Sequence, residues 1–354
     1  MSNPPKSATH KRARRVKLAD VATAAGVHYS TVSRVLRPGF KGRISDDVAE
    51  RVRAVARELG YQPNAVASSL RTQSTRSIGL IVHDMNDPIY PPILSGIESV
   101  LSPDGYAVLV GNTGYGADAE LDLVNRMAAR LVDGIFLATT RLKDPAVERC
   151  VQLGIPLVSV LRQTESGTTP AVMNDCFRGM EALTSHIIDA GHRDIAAIIA
   201  PQDLSTAQER WQGVQSAMRK HGLDLPEHRI ARVSRMSTEE GERATKSLLD
   251  AATEPPGVII CVNDLVAIGA IRACRLSGLD VPWDISISGY NDIPLMDMIN
   301  PPLSTVHMHL DKIGKAAGEM MLEYLANPEL PARTQRFKPE VILRGSLQGV
   351  HPQG

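Results

Sequence analysis

Apolar residues recur along this chain with two different periods, and the change falls near residue 76. Before it the period is helical. Leu18, Val21, Ala22 and Ala25 stand at i, i+3, i+4 and i+7, the stripe of a short helix, and Gly26 follows where the chain must turn. A second helix is expected from about Tyr29, with Val32, Val35 and Leu36 inward and Tyr29, Ser30, Ser33 and Arg34 outward. Pro38, Gly39 and Gly42 interrupt the pattern. Ser45 then offers an N-cap for a third helix, Asp46 and Asp47 fall in its first turn where the helix dipole favours acids, and Val48, Val52, Val55, Ala56 and Leu59 form its stripe. Past Gly60, Asn64 is a candidate N-cap after Pro63. The six residues 65–70 are too few to hold a helix alone, so this segment is expected to fold only on a target.

Beyond residue 76 short runs rich in Val and Ile alternate with helical stretches. The runs fall at 77–82, 106–111, 134–138, 156–160, 195–200, 257–262 and 286–290. Continuous apolar strands separated by helices predict parallel sheets covered on both faces, and the length suits two such sheets.

Charge sharpens the division. Residues 1–76 hold 15 of the 39 Lys and Arg but only 5 of the 39 Asp and Glu, which leaves 24 against 34 for the rest of a chain whose net charge is zero. A cationic end of this kind is suited to a polyanion, and binding that rests on it weakens steeply with salt. The length of 354 residues exceeds one simple core and implies two or three domains. Cys150, Cys176, Cys261 and Cys274 show no paired spacing and read as reduced thiols of a cytoplasmic protein. No apolar run is long enough for a membrane span, and the polar, basic start does not resemble a secretory signal.

Catalytic motifs do not emerge from the string. Gly111 to Gly116 (GNTGYG) follows a strand but lacks the spacing of a dinucleotide loop, and neither a phosphate loop nor a G-x-S-x-G elbow occurs. The ten histidines are scattered; His307 and His309 share a face but are too few for zinc, and His192 reads as structural. Neither a metal nor a cofactor is expected.

Six blocks carry a resemblance to a known family. LADVATAAGVHYSTVSRVL (18–36), ARELGYQPNAVASSL (56–70), GHRDIAAI (191–198), ERWQGV (209–214), VNDLVAIGAIRA (262–273) and SISGYND (286–292) resemble, in order, blocks of the lactose-repressor (LacI/GalR) family of bacterial transcription regulators. The resemblance implies a small all-α helix-turn-helix head joined to an α/β two-lobed domain like the type I periplasmic binding proteins, with parallel sheets. The expected division is a basic arm at 1–16, a DNA-binding head at 17–62, a hinge at 63–75, and an effector-binding and dimerisation domain at 76–346, followed by a tail. Within that domain lobe one is expected at about 76–172 plus 305–328, and lobe two at about 173–304 plus 329–346.

By the same resemblance, Leu18, Tyr29, Ser30, Thr31, Ser33 and Arg34 of the head contact double-stranded DNA, Arg34 being able to bond a guanine edge. Asn64, Ala67 and Leu70 of the hinge do so in the minor groove, with Leu70 as the wedge. Arg210, Asn263 and Asn291 match the family's ligand contacts of the second lobe, and Ile89 and Tyr90 those of the first. Arg and Asn are planar, multivalent partners for polyol hydroxyls. Several positions depart from the family. Asn291 stands where many members have Asp, and Thr139, Thr140 and Arg141 occupy a loop that carries an acid in some. Thr139 and Arg141 are therefore expected at the ligand, which is expected to be a sugar acid or sugar phosphate. His28 replaces a capping Ser, and Lys17 replaces a Thr, so a weaker cap on the second helix is expected. The function implied is a non-enzymatic repressor acting as a homodimer on a pseudo-palindromic operator under a small sugar-like effector. A sugar- or nucleotide-processing enzyme with an accessory DNA-binding head is the alternative.

Overall fold

A computed structural model describes residues 16–36, 44–61, 74–114 and 116–349. The chain divides into two compact units, Met1–Thr75 and Arg76–Gly354. The basic arm, the loop 37–43 and the hinge positions Asn64, Ala67 and Leu70 lie outside the described residues.

The first unit contains α1 (Leu18–Ala25), α2 (Tyr29–Val35) and α3 (Asp46–Glu58). Gly26 closes α1 in the left-handed region at φ 64°, where a side chain is strained, and its amide bonds back to Thr23. Val21, Ala25, Val32, Val35, Val52 and Ala56 are buried together, as the periodicity requires, and Leu18 packs against this cluster. Arg51 of α3 ties the end of α1 down through a bond from Nε to the Ala25 carbonyl, 3.2 Å. Two caps differ from expectation: Ser45 precedes α3 without a side-chain cap bond among the described residues, and α2 is capped after all. His28 keeps the cap of α2, its Nδ1 accepting from the Ser30 amide at 3.3 Å, so an imidazole does the work of the missing hydroxyl. At α1 the Asp20 carboxylate accepts from the Lys17 amide at 2.7 Å.

The second unit is built on two parallel sheets. The first contains β1 (Ser77–Val82), β2 (Ala107–Asn112), β3 (Gly134–Leu137), β4 (Leu157–Val160), β5 (Ala171–Asn174) and β11 (Thr334–Phe337), in the order β2-β1-β3-β4-β5-β11. The second contains β6 (Ile195–Ile199), β7 (Ile230–Arg232), β8 (Val258–Cys261) and β9 (Ser286–Ser288), in the order β7-β6-β8-β9. A separate antiparallel pair is formed by β10 (Thr305–His307) and β12 (Glu340–Ile342). β1, β3 and β4 are almost wholly buried, which explains why they read as unbroken apolar runs.

Among the described residues eight α-helices accompany the sheets: α4 (Tyr90–Leu101), α5 (Ala117–Ala129), α6 (Pro145–Gln152), α7 (Cys176–Asp189), α8 (Ser205–Lys220), α9 (Thr238–Asp250), α10 (Asp264–Leu276) and α11 (Leu310–Ala326). Helix α11 packs on α4 and the first sheet, and α9 packs on α10. The second contact is unusually close, since a Cβ added at Gly269 would collide with the Thr238 carbonyl and one at Gly241 with the backbone of Val266.

One assignment is corrected. Residues 329–346 were expected wholly in the second lobe, yet β11 extends the first sheet through β5, with Gln335 opposite Val172. The strand is exposed and polar (TQRF), so its pattern hid it. β5, β7 and β12 were likewise unpredicted, being three or four residues long. All four cysteines are buried and free. Among the described residues no helix is long and apolar enough to cross a membrane.

Candidate effector cleft and DNA-binding face

The carboxyl ends of strands from both sheets open onto one cleft of about 490 Å³ including its mouth. Loops at such ends are where open α/β sheets bind ligands, because residues from several strands converge there without pairing constraints. From the second lobe, Arg210 of α8 enters the cleft almost fully buried. Its guanidinium lies over the Tyr290 ring, 3.9 Å from the centroid, and donates to the Val262 carbonyl at 2.9 Å and to Asn291 Oδ1 at 3.0 Å. Its Nε has no partner among the described residues.

Asn263 caps α10 by accepting from the Val266 amide at 3.0 Å. Asn291 sits at φ 118°, a conformation that costs energy outside glycine. Its backbone is pinned by a bond from its amide to the Val306 carbonyl, 3.0 Å. The next residues are held by Asp264, whose Oδ2 accepts from the Ile293 amide at 2.9 Å and whose Oδ1 accepts from the Thr305 hydroxyl at 2.6 Å. Burial raises the Asp264 pKa from 3.8 to about 6.

From the first lobe, Ile89 and Tyr90 line the cleft at the start of α4, with Asp87 just before them accepting from the Ile89 amide at 3.2 Å. Burial pushes the Asp87 carboxyl up to about 6, against the opposing pull of that amide and of Arg162 and Arg210. Thus Ile89, Tyr90, Arg210, Asn263 and Asn291 come together in one cleft. Thr139 and Arg141 do not. Thr139 is buried and donates its hydroxyl to Glu120, whose pKa rises to about 7 through burial and the charge of Asp144. Arg141 is paired with Asp203 of the second lobe, beside a bond from the Leu142 amide to the Asp203 carbonyl at 2.9 Å. The loop after β3 therefore clasps the lobes instead of facing the ligand.

Arg162, two residues beyond β4, takes the place expected of Arg141. Leu161 before it has φ 69°, and Arg162 is 6 % exposed. The Arg162 guanidinium donates to His83 Nε2 at 2.6 Å. His83 can accept only as neutral imidazole, and burial, followed by the charges of Arg162 and Arg141, lowers its pKa to about 3. His83, Asp87, Arg162, Thr206, Met236 and Met308 were all missed from the sequence. The signal that could have found four of them is position: His83, Arg162, Met236 and Met308 each lie within a few residues of a strand's carboxyl end.

In the head, Tyr29 and Arg34 are exposed, whereas Ser30, Thr31 and Ser33 of the same short helix are partly covered. The Ser30 hydroxyl is engaged with His28 Nδ1 at 2.8 Å, and Tyr29 lies against the His28 ring, 4.4 Å between centroids. Leu18, half-buried against the head core, is placed to orient α1 more than to reach outward.

A three-helix head with a short, polar second helix, fused to a two-lobed receptor with a polar cleft, defines a ligand-responsive DNA-binding regulator. Comparison with known proteins agrees in both parts. Residues 17–64 match the family described as bacterial regulatory proteins, lacI family, and residues 184–347 match the periplasmic binding protein-like domain. The chain is 34% identical over 331 residues to the ribose operon repressor of Haemophilus influenzae, covering 93% of this chain and 97% of that one. It is 30% identical to the HTH-type transcriptional repressor CytR of Escherichia coli, covering 94% and 96%. Among solved structures, the lac repressor dimer bound to operator and the anti-inducer ONPF superposes with a TM-score of 0.84 at 25% identity, covering 95% of this chain and 100% of that one. The cellobiose complex of the transcriptional regulator CelR gives 0.72 at 27%, covering 94% and 100%. The chain belongs to the LacI family of transcriptional regulators, and its fold is that of the family.

Proposed function

We propose that the protein is an operator-binding transcriptional repressor without catalytic activity, acting as a homodimer, whose hold on DNA is set by a small sugar-like metabolite bound between its lobes. The observation that carries this reading is the cleft itself, where side chains of both lobes converge and the Arg210 Nε is buried with nothing among the described residues to donate to. A group of that kind is costly to leave unmet, so a ligand acceptor there is bound with gain. Tyr29 and Arg34 supply the outward groups for a major groove, and the cationic surplus of residues 1–76 supplies non-specific attraction. Because the ligand touches both lobes, it favours one lobe separation over others, and two heads carried on two such domains change spacing with it. Its influence on DNA affinity is bounded by its differential affinity for the two arrangements.

A mobility-shift assay on the DNA upstream of the protein's own gene, with a panel of sugars, sugar acids and nucleosides, tests this. A sequence-specific complex that one ligand weakens or strengthens is expected. Arg210→Ala should abolish the response while the complex persists. Failure to prefer any duplex at moderate salt, or chemical conversion of the ligand, would overturn the proposal.

A further inference from the structure

Two guanidinium groups enter the cleft, one from each lobe, and neither is hydrogen-bonded to a carboxylate among the described residues. Arg162 is held by the neutral His83 imidazole and by a long contact to the Thr139 carbonyl at 3.5 Å. Arg210 is held by the Val262 carbonyl, by Asn291 Oδ1 and by the Met308 sulfur at 3.8 Å. Both residues are about nineteen-twentieths buried, at 6 % and 5 % exposure. Arg141, the third cation of this region, is already neutralised by Asp203. Among the described residues the one carboxylate lining the cleft is Asp87, and it accepts from the Ile89 amide.

We infer that the effector carries a single acid group, held between Arg162 and Arg210, and that it is a small polyhydroxy carboxylate; this rests on the cleft being the effector site. Among the residues that line the cleft, two buried guanidiniums face one carboxylate, a surplus of one positive charge at its wall; the buried Glu120 and Asp264, which act on Arg162 and Arg210 through space, do not line it. A buried charge without a counter-ion is unfavourable unless one arrives with the ligand. A carboxylate meets that surplus charge for charge, whereas a phosphate monoester brings nearly two charges and leaves an excess of the opposite sign beside Asp87. Guanidinium geometry matches a carboxylate through paired N–H groups, and the unpartnered Nε of Arg210 supplies such a donor.

The rest of the wall suits the polyol. Asn263, Asn291 and Thr206 offer amide and hydroxyl groups, while Ile89, Met236 and Met308 offer apolar surface to ring or chain carbons. The anionic ligand anticipated from Arg141 is thus supported by a different residue, and Arg162 determines the specificity.

Calorimetry on the full-length protein with matched probes tests the inference. Gluconate and galacturonate are compared with glucitol, glucose and glucose 6-phosphate, and operator binding is followed in the same samples. At least one of the two carboxylates is expected to bind about 10- to 100-fold more tightly than the neutral compounds, the difference made by charge-assisted hydrogen bonds. Arg162→Gln should erase most of that ratio, and Arg162→Lys should restore part of it. The wild-type comparison of gluconate with glucitol needs no variant, so a folding defect cannot obscure the result. Equal binding of glucitol or glucose, preference for the phosphate ester, or binding of none of the probes overturns the inference. If a neutral sugar releases the operator, the repressor reading stands and the charge assignment falls. If operator binding responds to nothing, both fall.

Discussion

Replacing Asp264 separates the cost of burying a charge from the value of the hydrogen bonds it accepts. Its carboxylate is fully buried and accepts from the Thr305 hydroxyl and the Ile293 amide, 2.6 and 2.9 Å away. Burial nevertheless raises its pKa from 3.8 to about 6. The native state therefore binds this proton more tightly than the unfolded chain does. The sign follows: the group favours folding when protonated, and that contribution, about 3 kcal/mol in all, is lost as pH rises from about 4 to about 6. Asn cannot ionise, yet its carbonyl can accept from Ile293 while its NH2 donates to the Thr305 oxygen. Ala leaves both partners unmet, at about 1–3 kcal/mol each. We expect Asp264→Ala to lower the unfolding free energy in urea at neutral pH by about 2–5 kcal/mol, and Asp264→Asn by less than about 2 kcal/mol. Between about pH 4.5 and about pH 7 the advantage of the wild type over Asp264→Asn should shrink by about 2 kcal/mol. Parallel pH profiles for those two proteins would refute the claim that the native pKa is raised.

Two further outcomes can be checked. Arg34→Ala, at an exposed position of α2, should relax base preference at one position of each half-site, at about 1–3 kcal/mol, in a binding assay over a randomised operator; an unchanged preference rejects that role. A double-mutant cycle on Arg141 and Asp203, whose side chains are 29 % and 49 % exposed, should give a coupling of about 0.2–1 kcal/mol in ligand affinity, since solvent screens the pair and the Leu142–Asp203 backbone bond survives. Zero coupling means that the clasp does not bear on lobe closure.

The three head helices and six of the seven legible strands showed because burial on one stripe, or on both faces, imprints a helical or unbroken apolar pattern on the residues, whereas β2 reads as apolar although most of it is exposed. β11 was not, because a strand at a sheet edge with exposed side chains keeps its backbone bonds without an apolar pattern. In the cleft, Arg210, Asn263 and Asn291 were visible through their surrounding blocks. Arg162 was invisible because nothing in the string LRQ tells a buried guanidinium from a surface one. That distinction depends on Leu161 turning the chain and on His83, 79 positions earlier, offering a neutral nitrogen. Arg141 misled for the converse reason: a loop arginine near a sugar site in sequence found its acid on the opposite lobe.

The two walls of the cleft are unequal in their freedom to vary. Asn263 caps a helix, Asn291 bonds through its amide to β10, and Arg210 bonds to both a carbonyl and that asparagine, so each supports the scaffold while facing the ligand. Ile89 and Met236 only rest against the edges of the hydrophobic cores and make no hydrogen bond through their side chains, and Arg162 leans on His83 apart from one long contact. A biosensor engineer seeking a new analyte should therefore randomise these three positions, with His83 alongside Arg162, and keep the asparagine wall constant. Natural relatives that switch metabolites have the same route open to them.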